Sequence, residues 1–527
     1  MTHSEVEVLV VGAGPVGLMA ASQLARSGVS VRLVDAAAGP ATTSRALGVH
    51  ARSLEIYDQL GVVGDLVAHG TRVNAFIRHQ GESTSRTDFD FGNLTSQFSY
   101  MFDIDQVIIE RVLRGHAAFV GIEVEWNTKL DSFEQDDDGV TAQLYSDDGR
   151  EETVRAQYLW GCDGGHSTVR KTLGLPLEGE AAHTWLIADA IIHTDIDRDG
   201  VHWLFAEGST LMLFPFPELN KWRLLDTSGE GGVENPEQIA QQFSSKVSQA
   251  LGRETVVETP SWTSKFTIQQ RAVPAMHVGR CFVSGDAAHV HSPASGQGLN
   301  TGIQDAYNLA WKLAMVVHGQ ADATMLDTYD AERVPIGQAL LASTNRVMDT
   351  AMVGTTPEDP SDTDLAFMRQ LIRSMSGLPI AYPDSPLTVP DDQSGGQRTV
   401  GPRAGQRLTQ ISTADAQSPG WTILRARLRH PGWHLLTFDG YPVSSSGDRV
   451  PTDTAPLPAW INRVTISQSR PENDDNCVWD ADGRVHDTLG VTDGDWILVR
   501  PDGYLSARGT GNTSLRDALV RLPGLHQ

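Results

Sequence analysis

The sequence predicts an α/β protein: a parallel-sheet domain, a β-rich unit inserted into it, and a separate C-terminal α/β unit. Three observations predict this. A valine-rich run passes directly into a glycine turn and a helical pattern between Val6 and Asp35. Two later apolar runs end in the same way, at Cys162-Asp163-Gly164 and at Gly285-Asp286. A stretch dominated by Pro, Asp, Ser and Gly, from about Thr355 to Arg403, then separates a strand-rich tail from the rest.

Val6 to Val11 is a short apolar run without polar alternation, the pattern of a fully buried strand. Gly12-Ala13-Gly14-Pro15-Val16-Gly17 follows at once, Val16 to Arg26 reads as a helix closed by Gly28, and Ser30 to Val34 is a second strand ending in Asp35. Small residues in such a turn let a pyrophosphate reach backbone N–H groups at a helix N-terminus, and the terminal acid can hold ribose hydroxyls. The glycine pattern alone is weak. Strand, turn, helix, strand and acid in this order are the context it requires, so the chain is expected to begin with a dinucleotide site.

Composition limits the partners. The 527 residues suggest three or four units at about 150 residues each. Acidic residues outnumber basic ones 66 to 41, a formal charge of −25, which repels phosphate backbones and anionic lipid. Nucleic acid and membranes are therefore excluded as expected partners. There is no signal-peptide pattern and no apolar run of membrane-spanning length. The three cysteines, Cys162, Cys281 and Cys477, lie far apart without a CxxC, which fits a reducing cytoplasm and offers neither a metal cluster nor a disulfide framework.

Beyond Asp35, Arg45 sits in a loop where it could meet a pyrophosphate, although alone it reads as a surface arginine. Ser53 to Leu60 and Gln106 to Ala118 have helical apolar spacing. Phe76 to Phe98 reads as polar and irregular, with Asp88 to Phe91 as an edge strand. Glu123 to Trp126, Asp131 to Gln135 and Val140 to Tyr145 form a small meander with acidic turns. Tyr158 to Cys162 is a buried strand; Asp163 beyond it can read a ligand hydroxyl or cap the helix that starts near Ser167, and local chemistry favours neither.

Leu186 to Thr194, Val201 to Phe205, Thr210 to Pro215 and Trp222 to Asp226 are strands whose aromatics can line an apolar pocket or form a plain sheet core. Pro236 to Leu251 is an amphipathic helix. Cys281 to Ser284 is a strand, Gly285-Asp286 ends it, and a small-residue loop leads to a strong helix over Gly302 to Val317. Asp286 is placed to bond a polyol or ribose, and the backbone of Gly296, Gly298 and Asn300 can stabilise negative charge at a helix N-terminus. A helix from Asp327 to Asn345 follows. In the tail, Trp421 to Leu424, His434 to Phe438, Val464 to Ser467 and Trp496 to Arg500 read as strands and Ser514 to Val520 as a closing helix.

Taken in order, the Gly12–Asp35 unit, Cys162-Asp163-Gly164 and GDAAHVHSPASGQGLNTGIQDAYNLAWKLA resemble the single-component flavin-dependent aromatic hydroxylases, which include phenol hydroxylase and rifampicin monooxygenase. The resemblance is strong over about Val6 to Asn345 and weak through the tail. It implies a Rossmann-like FAD-binding domain (1–175 and 276–390), an inserted β-rich substrate-binding domain (176–275), and a thioredoxin-like C-terminal domain (391–527). By it, Gly12, Gly14, Pro15, Val16 and Gly17 take the pyrophosphate of FAD and Asp35 its adenosine ribose. Arg45 and Gln106 match positions that contact the flavin nucleotide. Asp286 matches the holder of the ribityl or diphosphate region, while Pro293, Gly298, Leu299 and Asn300 border the ring. Asp163 and Gly164 match a motif implicated in both FAD and NAD(P)H binding. The tail carries one cysteine, Cys477, so dithiol chemistry there is ruled out.

The implied reaction is hydroxylation of a phenolic or polycyclic aromatic substrate with NADPH (or NADH) and O2 through a flavin hydroperoxide. Trp203, Phe214, Phe216 and Trp222 are candidates for the pocket wall. The catalytic base is not identified; His202, His289 and His291 lie in the right regions but each also reads as structural. Baeyer–Villiger insertion, epoxidation, and a scaffold with a structural flavin stay open as alternatives. Substrate identity and oligomeric state are not set by the sequence, with a homodimer carried as one option.

Overall fold

The computed structural model describes residues 2–44, 46–81, 83–89, 91–92, 94–206, 209–228, 235–291, 296–352, 362–391, 400–438, 457–470 and 477–526. Arg45 and Pro293 thus lie outside the described residues.

Four parallel strands decide the geometry of the first sheet. Thr2–Val11 lies between Glu151–Gly161 and Val31–Val34, and Cys281–Val283 joins the far side of Glu151–Gly161. Their valine- and leucine-rich runs are buried on both faces, as a parallel sheet covered by crossover helices requires. Register brings the four ends level: Val11 pairs with Val34 and with Gly161, and Gly161 with Val283. The backbone continues that alignment for one step, with Gly12 N–H donating to Val34 O (2.8 Å), Cys162 N–H to Val11 O (2.7 Å) and Ser284 N–H to Gly161 O (3.0 Å). Three segments that are distant in sequence therefore emerge side by side. The meander Thr128–Gln135 and Val140–Ser146 adds to this sheet antiparallel through Glu151–Gly161.

The second sheet has nine strands. Glu178–His193 is its longest, flanked by Trp262–Ala272 and Lys221–Asp226, and the order continues through Ser209–Pro215 and Gly200–Ala206. Ala75–Gln80 and Ser83–Asp88 complete this sheet, Ala75–Gln80 pairing in parallel with Gly200–Ala206. This corrects two expectations. The polar stretch after Phe76 is two strands, and residues 75–88 join the inserted sheet rather than the first part of the nucleotide domain. Ser83–Asp88 is an edge strand exposed on one face, so it shows almost no apolar alternation to read. One face of the sheet is covered by Pro236–Leu251, a helix capped by Asn235, whose Oδ1 accepts from Glu237 N–H at 2.8 Å, and closed by Gly252 at φ 67°.

A five-stranded sheet forms the C-terminal unit, in the order Cys477–Trp479, Ile461–Ser467, Trp433–Phe438, Asp495–Val499, Leu505–Thr510. Trp421 to Leu424, expected as a strand, lies inside the helix Pro419–Leu428. Ser418 accepts from Trp421 N–H and Pro419 takes the first turn, a start signal that outweighs a short apolar run. The expected linker also contains a helix, Asp362–Met375. The helix expected from Gly302 begins at Gln297.

A buried ionic network holds this unit to the first sheet. Glu332, inside the helix Asp327–Met352, accepts from Arg500 Nη1 (2.6 Å) and Nη2 (2.8 Å), from Lys312 Nζ (2.8 Å) and from Ser385 Oγ (2.6 Å). Arg500 also holds Asp502 at 2.6 Å, and Arg52 donates to the Asp502 carbonyl at 2.8 Å while pairing with Glu55. Arg407 reaches back to Glu55 at 2.8 Å. Burial pushes the Glu332 carboxyl up, but Arg500 and Lys312 outweigh it and hold the group well below the usual carboxylate range. Among the described residues no helix is long and apolar enough to cross a membrane, and no group of three or more His, Cys, Asp or Glu could hold a metal ion.

Arg500→Met leaves two carboxylates buried without their main cation. It is expected to cost about 3–5 kcal/mol in denaturant-induced unfolding, whereas truncation of an exposed pair such as Arg150–Asp148 is expected to leave the unfolding midpoint almost unchanged.

Candidate active site

The aligned strand ends assemble the site. Gly12 has φ 102°, and a Cβ there would lie 2.3 Å from Cys162 O; a Cβ on Gly17 would lie 1.8 Å from Gly12 O. These two glycines are demanded by the protein's own packing. Gly14 is not: its φ of −71° suits any residue, and a Cβ on it meets nothing within 4 Å. Gly14 faces open space at the start of the helix Pro15–Arg26, which has no side-chain cap and no acid in its first turn. An uncapped helix N-terminus behind a glycine with open space around it fits a pyrophosphate. Asp35 braces this turn, its Oδ2 accepting from Ala13 N–H at 2.6 Å and its Oδ1 from Ala37 N–H at 2.8 Å. Pro15 is buried, and the Val16 side chain packs between Gly285 and Gly302, where either added Cβ would come within 2.9 Å of it.

Asp163 takes the capping role that was one of its two readings. Its Oδ2 caps the short helix Thr168–Thr172, accepting from Thr168 N–H (2.7 Å) and Val169 N–H (3.2 Å), while its Oδ1 is buried without a partner. A buried carboxylate oxygen lacking a donor fits a ligand hydroxyl. Gly164 follows at φ 74°. Arg170, on that short helix, donates to Gly165 O (2.9 Å) and Ala287 O (3.3 Å), and so ties the Asp163 loop to the Asp286 turn.

Asp286 lies exposed in the tight turn Gly285–Ala287. Asp305 holds that turn from beneath. Its Oδ2 accepts from Gly285 N–H (3.1 Å) and meets His289 Nε2 (2.7 Å), while Oδ1 pairs with Arg333. Burial raises the Asp305 carboxyl, yet Arg333 and His289 more than offset this and keep it below its ordinary value. His289 is accordingly structural.

The helix Gln297–Val317 starts at Gly296 in a left-handed conformation, again without a side-chain cap or a first-turn acid. Asn300 fixes this start to the strand Gly48–Val49, accepting from His50 N–H (2.9 Å) and donating to Gly48 O (3.0 Å). Gly298 leaves room for His291, whose Cε1 would lie 2.8 Å from an added Cβ, and Leu299 packs against the core. Gln106 holds the loop that carries Arg45: its Oε1 accepts from Ala46 N–H (2.9 Å), and Ser44 Oγ accepts from Gln106 N–H (3.1 Å).

The inserted sheet faces this edge with one side only. Trp203 and Phe214, half-buried, bridge a cluster of Trp185, Ile187, Met212 and Leu225 and a second one containing Phe76, Phe89 and Met101. Phe216 is buried beside Arg223, which pairs with Asp189 (2.8 Å) and donates to Ser44 O (2.9 Å) across the junction. Trp222 has the opposite parity and packs with Ile239, Phe243 and Val247 of the covering helix, so it does not line the wall. His202 is also turned away: Nδ1 meets His79 Nε2 at 2.8 Å, Nε2 meets Asp197 O at 2.6 Å, and burial lowers it to about 4. Trp203 and Trp222 lie on different strands, so only the pairing register relates their faces; Arg223 gave no signal beyond a charge inside an apolar strand.

The FAD binding domain family matches residues 5–344. The chain is 42% identical to 6-methylpretetramide 4-monooxygenase of Streptomyces rimosus, over 99% of this chain and 93% of the relative. It is 32% identical to pentachlorophenol 4-monooxygenase of Sphingobium chlorophenolicum, over 96% and 94%. Among solved structures, OxyS anhydrotetracycline hydroxylase from Streptomyces rimosus superposes with a TM-score of 0.71 at 26% identity, covering 99% of this chain and 100% of that one.

Three variants test the cradle. Gly14→Val is expected to leave the thermal midpoint of the flavin-free protein unchanged and to weaken FAD binding about tenfold or more, while Gly12→Val is expected to lower stability itself. Asp286→Ala is expected to purify depleted in FAD, read from its visible spectrum, with the same fold by circular dichroism.

Proposed function

The chain belongs to the FAD binding domain family of flavin-dependent monooxygenases, and from that membership we propose that it hydroxylates a phenolic ring of a polycyclic aromatic polyketide with NADPH or NADH and O2. One observation carries the reading: three level strand ends with an open phosphate cradle stand against a sheet face whose aromatics, Trp203 and Phe214, are left half-buried. A tetracyclic substrate is supported by end-to-end similarity to 6-methylpretetramide 4-monooxygenase.

Bound at this edge, FAD supplies the activation of O2 and the transfer of one oxygen atom, chemistry that no side chain provides. The chain supplies placement. Gly12, Gly14 and the N-terminus of Pro15–Arg26 would receive the pyrophosphate, Asp35 the adenosine ribose, and Asp163 Oδ1 and Asp286 further hydroxyls or the diphosphate region. Gln106, bonded to Ser44 and Ala46, would hold that segment beside the nucleotide. The N-terminal end of Gln297–Val317 carries the positive end of a helix dipole and favours negative charge beside it. The apolar face of the inserted sheet excludes water and orients the ring. Residues 1–175 and 276–390 are read as the flavin domain, with 75–88 given to the substrate sheet and 176–275 to its remainder. Residues 391–527 are read as a thioredoxin-like unit that braces the flavin domain; its single Cys477 leaves it no dithiol.

The purified protein is expected to be yellow. NADPH or NADH oxidation is expected to accelerate severalfold when a polycyclic phenol is added, with matching O2 consumption and a product heavier by one oxygen. A flavin-loaded protein that no polycyclic phenol makes reactive toward either nicotinamide overturns the reading.

A further inference from the structure

Register lays the cleft side of the inserted sheet out in rows. Trp203 pairs with Arg78 and with Met212, Met212 with Leu225, and Leu225 with Ile187, so these five side chains cross one face in a line. Two residues along each strand toward the flavin domain, the next row holds Phe76, Val201, Phe214, Arg223 and Asp189, and Arg223 makes the contact with Ser44 O. Two residues the other way, the outer row holds Phe205, Thr210 and Trp185. Met212, Leu225, Ile187 and Trp185 are buried, whereas Arg78, Trp203 and Phe205 are half-buried, at the side of the sheet next to the edge strand Ser83–Asp88. The face is thus closed over its middle and reached from solvent at this corner.

Two cations stand in these three rows. Arg223 is committed to Asp189, the one carboxylate among them, and to Ser44 O. Arg78 lies at the open corner, its guanidinium carbon 4.6 Å from the centroid of the Phe205 ring, so its head leans toward the outer row and away from the flavin domain. Phe205 stands four residues along its strand from Val201, the level of Phe214, a separation of about 13 Å. A single phenol ring is shorter than that distance; a row of fused rings spans it. Burial holds the Arg78 guanidinium below its ordinary value, a cost that an anion beside it offsets. The chain as a whole, with 66 acidic residues against 41 basic ones, repels anions, so an anionic ligand on this face needs a local cation.

We propose that Arg78 is a specificity-determining residue that receives an anionic oxygen substituent, a carboxylate or an enolate, at the end of the fused-ring substrate remote from the flavin. This rests on the monooxygenase reading above. The guanidinium donates to that oxygen while the rings lie along Trp203 and Phe214, and this bond sets which end of an elongated substrate faces the flavin. No proton or electron passes through Arg78; it acts on binding and orientation alone. A charged polycycle is thereby selected over a neutral one of the same shape.

The test uses the flavin-loaded enzyme with two anthraquinones that share one dihydroxy ring system: rhein, which carries a carboxylate, and aloe-emodin, which carries a hydroxymethyl group in its place. Their Kd values are read by isothermal titration calorimetry at neutral pH, where the carboxylate is ionised. The wild type is expected to bind rhein about fivefold or more tightly than aloe-emodin. Arg78→Met, which keeps an apolar stem over Phe205 and removes the charge, should bring that ratio to about one by weakening rhein. Arg78→Lys should restore most of the preference. A wild-type ratio near one, or a wild type that binds neither anthraquinone, overturns the proposal without any variant. So does a flavin-loaded Met variant that keeps the wild-type ratio. In each of these cases, nicotinamide oxidation stimulated by another polycyclic phenol leaves the monooxygenase reading standing. Its failure with every polycyclic phenol overturns that reading and the proposal together.

Discussion

Two buried carboxylates behind the level strand ends, Asp305 and Glu332, organise this molecule. Each is held by groups from other elements: Arg333 and the His289 imidazole around Asp305, Arg500 and Lys312 around Glu332. Because Glu332 and Arg333 are adjacent in one helix, the two clusters are mechanically one. Asp305 holds the Gly285 turn through its backbone N–H, Arg333 reaches Tyr382, and Glu332 reaches Arg500 in the C-terminal sheet. Desolvating such ions costs several kcal/mol each, which their pairing largely offsets, so the net gain in stability is small. We read their role as positional, since each guanidinium accepts only a narrow set of partner geometries.

On that frame, register delivers the cofactor edge. Parallel pairing sets the ends of four strands level, and the residues that follow each end fall together whatever their distance in sequence. Close packing then fixes where the backbone can go. Gly12 sits on Cys162, and Val16 fills the gap between Gly285 and Gly302, leaving Gly14 as the one glycine of the turn that the protein itself does not need.

The substrate side obeys a different rule. A sheet has two faces, and here a helix covers one while the other meets the flavin domain. Trp203 and Trp222 are chemically alike and belong to the same sheet, yet one bounds the cleft and the other is core. The polar groups at the junction, Asp103, Asp189 and Arg223, come from three strands. They are brought together by the docking of sheet on domain rather than by any one segment.

What the sequence alone determined was chemistry confined to one turn or one strand end. The Gly12–Asp35 unit, the Asp163 and Asp286 turns and the helix after Gly296 were legible because backbone sterics and helix capping act over a few residues. Lys312, Glu332 and Arg333 fall inside two segments legible as helices, but the sequence does not give their partners. Only the tertiary structure decided that Trp222 faces a helix, that His202 is spent on His79, that residues 75–88 complete the inserted sheet, and that Arg223 reaches across to Ser44 O. The reason is physical. Strand parity assigns a side chain to one of two faces, but which face is buried and what lies across it depend on pairings between segments more than a hundred residues apart.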